Sequence, residues 1–385
     1  MSAVNDRYRV PRSRAAVTHQ GLRQDILEAL EPILFDSAMN GYAARATFEE
    51  RFAAAVNRRF ATAVHSGSIA LYIGLRACGI GPGDEVVTVG NSDVSTTAAI
   101  TLCGAEPVLC DIREADYNLN VDAVEACLTA RTRAIMPVDL YGHPSDVKRL
   151  RELTGERRLR IVEDAALATG ARDYGWSVGA FADATIFSFA PFKPLGSSGN
   201  GAVITSHDPE IARNIRLLAG YGHTPDVSDE RPGHQAHVGE GLNVPLDPLQ
   251  AALLLIKLPH LGVWTEQRRL LAQRYRQQLD PSKVRLPQLR AESEPTYRSY
   301  TILVENQARV YLALRDAGVD AVLHYAPPVY QQPVYRQHRL ASAQLPVTEF
   351  VSQHLICLPV TPELSAEEID SVCEVVNRTC ARGWA

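Results

Sequence analysis

Residues 61–90 read ATAVHSGSIALYIGLRACGIGPGDEVVTVG, and the pattern changes twice within this stretch. Ala61–Val64 is a short apolar run of the kind strands use. His-Ser-Gly is a turn, and Ile69–Ile80 carries apolar residues at helical spacing. After Gly-Pro-Gly comes a second strand-like run, Glu85–Val89. The alternation continues through STTAAITLCG (95–104, helix), AEPVLCDI (105–112, strand), VDAVEACLTA (121–130, helix) and RAIMPVDLYG (133–142, strand). DVKRLRELTG (146–155) reads as a helix, and LRIVEDAA (159–166), ATIFSFA (184–190) and GAVITS (201–206) as strands. Such regularity predicts an α/β fold with a mostly parallel seven-stranded sheet between helices. Ligands of such sheets bind outside the carboxyl ends of the strands.

Working outward, residues 22–60 read as helices, and a further helix starts near Pro209. Segment 220–241 (GYGHTPDVSDERPGHQAHVGEG) reads as an exposed loop, long enough to be a lid or an oligomer contact. One long helix is expected near 247–279. Beyond about 280, SYTILV (299–304) and AVLHY (321–325) read as strands, with ARVYLALRDAG (308–318) and SAEEIDSVCEVV (365–376) as helices. This predicts an N-terminal extension (1–21), a large domain (22–260) and a smaller C-terminal α/β domain (261–385).

The composition, 46% hydrophobic and 22% charged, is that of an ordinary globular protein. A net charge of −5 with interspersed signs gives no footprint for nucleic acid or an anionic membrane. The first residues lack the apolar core of a secretory signal, and no apolar run is long enough to span a bilayer. Seven scattered cysteines without a CxxC pair, and histidines without HExxH, point to reduced thiols in a cytoplasmic protein with no metal site.

Four features fall at strand ends. Gly67 and Ser68 open a helix directly after a strand, where free N–H groups and a hydroxyl make an anion site; a plain helix cap for Ser68 is the alternative. Asp164 follows an apolar strand in the expected interior, and a buried carboxylate there needs a cationic partner. Ser188 and Lys193 flank a turn in TIFSFAPFKPLGSSGNGAVIT (185–205), where a lone lysine sits in apolar surroundings. Asn243 stands just before a helix. A ligand with a phosphate, a protonatable ring nitrogen and an aldehyde would engage the anion site, the acid and the amine together. Pyridoxal 5′-phosphate is such a ligand. A solvated loop lysine, a structural carboxylate and strand-end hydroxyls remain the bland alternatives. GIGPG (79–83) lies after a helix and before a strand, the wrong context for a dinucleotide loop.

The segments SGSIAL (66–71), GIGPGDEVVTV (79–89), GAEPVLCDI (104–112), PVDLYGHPSD (137–146) and VEDAALATGA (162–171) occur here in a telling order. FSFAPFKPLGSSGNGAVIT (187–205), GLNVPLDPLQAA (241–252), HYAPPVYQQPVY (324–335) and LPVTPELSAEEI (358–369) follow them. In these the chain resembles the DegT/DnrJ/EryC1/StrS family of pyridoxal-phosphate-dependent sugar aminotransferases, of fold-type I, from about residue 22 almost to its end. The resemblance implies that Lys193 forms the Schiff base with the cofactor and that Asp164 partners its ring nitrogen. It further implies that Gly67, Ser68 and Ser188 contact the phosphate, with Asn243 reaching the phosphate of a neighbouring subunit's cofactor in a homodimer. The donor implied is glutamate or glutamine, and the acceptor a keto-sugar, usually nucleotide-linked, or a cyclitol ketone. His324 and Tyr325 are candidates for the substrate pocket, with a packing role as the alternative.

Three positions depart from the family pattern. Asp93 stands where an aromatic residue usually stacks on the cofactor ring. Leu167 replaces a glutamine or histidine near the ring oxygen, and Pro245 follows Asn243 where a polar residue is common. Both Asp93 and Leu167 are expected to border the cofactor, with the pocket around it reshaped. Two other readings stay open: a non-transaminating, dehydratase-like branch, which in this family replaces the lysine with histidine, and a cofactor-binding regulator.

Overall fold

The computed structural model describes residues 8–223 and 236–381. Its centre is a sheet of seven strands: β1 (Phe60–Val64), β2 (Glu85–Val89), β3 (Glu106–Cys110), β4 (Thr132–Ile135), β5 (Arg160–Asp164), β6 (Ala184–Ser188) and β7 (Ala202–Ser206). The strand order is β1-β7-β6-β5-β4-β2-β3. β7 pairs antiparallel with both β1 and β6, and every other pairing is parallel. The strands are nearly continuous apolar runs because both faces are covered.

Alternation along a strand sends neighbouring side chains to opposite faces. Ile186 joins the core under helix Gly67–Ala77, with Val64, Leu71, Leu75 and Val162. Phe187 and Phe189 point the other way, into a cluster with Phe48 and Phe52. The Phe52 ring lies 5.2 Å from each of them, edge-on, a favourable aromatic geometry. Burying each such side chain stabilises the fold by roughly 1.5–3 kcal/mol. Ile186 and Phe187 thus hold β6 from both sides, immediately before Ser188.

A second core sits in the C-terminal unit, where β8 (Tyr300–Leu303) pairs antiparallel with β9 (Leu355–Leu358). Helices Leu261–Gln278, Gln307–Asp316 and Ala366–Thr379 pack around them, burying Tyr275, Ile302, Leu314, Ile356 and Val376. Val10, from the start of the chain, belongs to the same core and exchanges hydrogen bonds with the Gly318–Asp320 segment. Arg12 pairs with Asp320 at 3.3 Å, and Arg14 bonds Glu368.

Two expectations are corrected. AVLHY is no strand: Val322 alone bridges Cys357, after which the chain turns, with Ala326 N–H bonding Leu323 O at 3.1 Å. The partner of β8 is instead Leu355–Leu358. The long helix is two helices, Pro248–Lys257 and Leu261–Gln278, joined by a 3-10 turn at Leu258–His260. Pro259 lies in that turn and has no N–H to continue the α-helical ladder. Residues 224–235, the middle of the expected lid or oligomer loop, lie outside the described residues. No described helix is long and apolar enough to cross a membrane.

Candidate active site

The carboxyl ends of β1, β2, β5 and β6 converge on one cavity of about 210 Å³. At one end stands the start of helix Gly67–Ala77. Ser66 is its N-cap, accepting from Ile69 N–H at 3.5 Å, which leaves the N–H groups of Gly67 and Ser68 without helical partners. The helix dipole adds partial positive charge at that point. Ser188 ends β6 opposite, and a Cβ on residue 67 would lie 3.1 Å from its Oγ. Glycine at 67 therefore keeps a cradle open between the helix start and the hydroxyl. The cap is Ser66, so the reading of Ser68 as the cap is corrected: Ser68 lies inside the first turn.

Asp164 is the last residue of β5 and is 4% exposed. Its Oδ2 accepts from Thr96 Oγ1 and its Oδ1 from Ala166 N–H, both at 3.1 Å. Burial pushes its carboxyl up; the Ala166 N–H, the charge of Lys193 and the Thr96 hydroxyl pull it back. The expected cationic partner is corrected: the direct partners of this acid are two neutral hydrogen-bond donors, and Lys193 acts on it only as a nearby charge.

Lys193 follows β6 in a turn closed by its own N–H to Ala190 O at 2.9 Å. Burial of its amine lowers its pKa to about 8, helped by the Arg298 guanidinium and opposed by Asp164 and Asp93. A larger share of this amine is neutral near pH 7 than for an exposed lysine.

Asp164, Lys193, Gly67, Ser68 and Ser188 all line this cavity, as do Asp93, Leu167 and Tyr325. Asp93 caps helix Val94–Leu102, accepting from Ser95 N–H at 2.9 Å, and is otherwise exposed. His324 lies behind the lining; its ring stacks on Tyr325 at 4.9 Å, and burial lowers its pKa to about 4. Asn243 is exposed, bridges Gly220, and stands outside the cavity.

Sequence reasoning overlooked Thr96, Ser92, Ser66 and Asn200. Ser66 was findable, since a serine before Gly-Ser-Ile is a cap signal. Thr96 carried no signal, because only folding brings it to a residue at the end of another strand. The chemistry of the set fits pyridoxal phosphate: an anion cradle, a buried acid and a depressed-pKa amine border one space.

The sequence pattern of the DegT/DnrJ/EryC1/StrS aminotransferase family matches residues 21–377. The chain is 37% identical, over 88% of its length and 86% of the relative's, to the dTDP-3-amino-3,4,6-trideoxy-alpha-D-glucose transaminase of Streptomyces venezuelae. It superposes on the crystal structure of S. venezuelae DesV with a TM-score of 0.89 and 34% identity, covering 96% of this chain and 98% of that one. The Bacillus subtilis NtdA structure, with bound cofactor PMP, superposes with a TM-score of 0.83 and 28% identity, covering 94% and 82%.

Proposed function

The chain belongs to the DegT/DnrJ/EryC1/StrS aminotransferase family, a pyridoxal-phosphate-dependent family, and from that premise we propose that it moves an amino group from glutamate or glutamine to a ring ketone. The acceptor class is a keto-sugar, nucleotide-linked, or a cyclitol ketone, in the making of an amino sugar or antibiotic. The observation that carries this reading is the lining of one 210 Å³ cavity by Lys193, Asp164 and the Gly67–Ser68 helix start.

Pyridoxal phosphate, when bound, supplies an aldehyde that takes up the amino group and a ring that delocalises the electrons released at the donor's α-carbon. The chain's residues do the rest. The Gly67 and Ser68 N–H groups and the Ser188 hydroxyl hold the phosphate against the helix dipole. Asp164, fixed by Thr96 and Ala166 N–H, holds a proton on the ring nitrogen by offering a carboxylate that water cannot reach. Lys193 Nζ, once free and neutral, takes the α-proton of the donor and hands it on. Leu167 and Tyr325, which line the same cavity, would keep water from the ring.

Asn243, exposed and outside its own chain's cavity, suits a role at the cofactor phosphate of a second copy. The enzyme is then a homodimer with shared sites, acting in the cytoplasm. The test is spectroscopic. Protein incubated with pyridoxal phosphate should turn yellow, and the colour should bleach when glutamate or glutamine is added. A colourless protein would sink the cofactor assignment, and a yellow protein inert to every amino donor would favour a regulator.

A further inference from the structure

Outside the inner cavity lies a second one of about 470 Å³, and the two share Ser92, Asp93 and Tyr325. Its walls are apolar side chains such as Leu323, Pro327, Val329 and Val334, with Gln332 as a further polar group. Among the described residues that line it there is no lysine, arginine or histidine. Gln332 is partly committed, since its Nε2 donates to Pro327 O at 3.2 Å.

Asp93 is the charged residue at the junction. Its Oδ1 is engaged by Ser95 N–H at 2.9 Å, which fixes the side chain at the head of helix Val94–Leu102. Its Oδ2 accepts no hydrogen bond among the described residues. The side chain is thus held in place with one acceptor unspent, where a molecule passing from the outer to the inner cavity must go by. A carboxylate so placed bonds well to hydroxyls and repels anions.

The acceptor ketone must reach the inner cavity, so the carbons flanking the ketone come to the junction. We propose that the outer cavity receives the acceptor ring and that Asp93 Oδ2 accepts a hydrogen bond from a hydroxyl on a carbon next to the ketone. The ring that fits is uncharged, with an apolar edge against Val329 and Val334. The inference rests on the aminotransferase reading, and it makes Asp93 a specificity-determining residue.

The experiment uses full-length protein loaded with pyridoxal phosphate, which has no amine to give a ketone, and three probes: a nucleotide-linked keto-hexose and its two analogues that each lack one hydroxyl beside the ketone. Dissociation constants are measured by calorimetry for wild type, Asp93→Ser and Asp93→Asn. Serine keeps a good helix cap while removing the charge. Wild type should lose about tenfold in affinity for one deoxy analogue, as expected for a hydrogen bond to a charged group. In Asp93→Ser that loss should shrink to under about threefold, with Asp93→Asn between the two. The proposal is overturned if none of the probes binds, if both deoxy analogues bind as the parent does, or if the loss is the same in wild type and Asp93→Ser. Bleaching by the amino donor is a separate measurement on wild type, and its failure would count against the aminotransferase reading alone.

Discussion

Thr96 Oγ1 donates to Asp164 Oδ2 at 3.1 Å, and the same hydroxyl lies 2.7 Å from Ser92 Oγ. A hydroxyl relay from the head of helix Val94–Leu102 thus supports the acid at the end of β5. Replacing Thr96 by valine keeps the shape and removes the donor. A hydrogen bond to a charged group contributes about 1.5–3 kcal/mol, so Thr96→Val should weaken pyridoxal phosphate binding by roughly tenfold or more. Fluorescence titration of the apo protein measures this; unchanged affinity would show that the relay does not support the acid.

The lowered amine of Lys193 sets a pH dependence. Its neutral form attacks, so the rate at which visible colour appears on mixing apo protein with pyridoxal phosphate should rise with pH through a midpoint near 8 and level off above it. Arg298 is one of the causes of that lowering, and a cation disfavours a second charge nearby. In Arg298→Leu the midpoint should therefore move to higher pH. A midpoint that stays put, or falls, contradicts this electrostatic account.

Gly67→Ala tests the cradle. The added Cβ would lie 3.1 Å from Ser188 Oγ and narrow the cradle, so the serine must give way slightly. The variant should fold, since alanine is favourable in a helix, but gain less thermal stability from added inorganic phosphate than wild type. Equal gains in melting temperature would argue that phosphate binds elsewhere.

Near Asp164, whose carbonyl accepts from Asp139 N–H, the carboxyls of Asp139 and Glu163 are both buried. Burial pushes Glu163 up from 4.5 to about 7, offset by Arg58 and by its hydrogen bond with Asp139. Asp139 is raised too, by burial and then by Glu163. A group with a raised folded pKa contributes stability that is full below its unfolded value and lost as pH rises through the folded one. Wild type should therefore lose melting temperature between about pH 4.5 and 7, and Glu163→Gln, which keeps its proton-like amide throughout, should lose less. Parallel melting curves for the two proteins across that window would contradict a raised Glu163 carboxyl.

The seven strands of the main sheet were legible because each is a compact apolar run with a turn signal beside it, and β6 lies wholly inside ATIFSFA. The C-terminal unit was harder. Leu355–Leu358 is four residues following a helix without a Gly or Pro break, whereas AVLHY has strand-like residues but finds a partner at Val322 alone. Strand pairing there depends on which segment meets Tyr300–Leu303, a long-range choice that local pattern does not encode. The candidate site divides in the same way. Residues that sit beside a local signal, such as Gly67 and Lys193, could be read from spacing and resemblance. Thr96 could not, because what matters is its distance to Asp164 across 68 positions of chain. Asp93 showed itself only as a departure, and its place at the mouth between two cavities needed the fold.

Val10 in the second core has a consequence for the order of events during synthesis. The second core is sewn from segments up to 354 positions apart, with Arg12 on Asp320 and Arg14 on Glu368 as further stitches. Residues 10–14 are therefore made before the Gly318–Asp320 segment and helix Ala366–Thr379, and take their seat only after both have followed. The central sheet, complete by Ser206, has all its strands available long before then. In order of synthesis, the docking of Val10 and its two arginines thus follows the sheet.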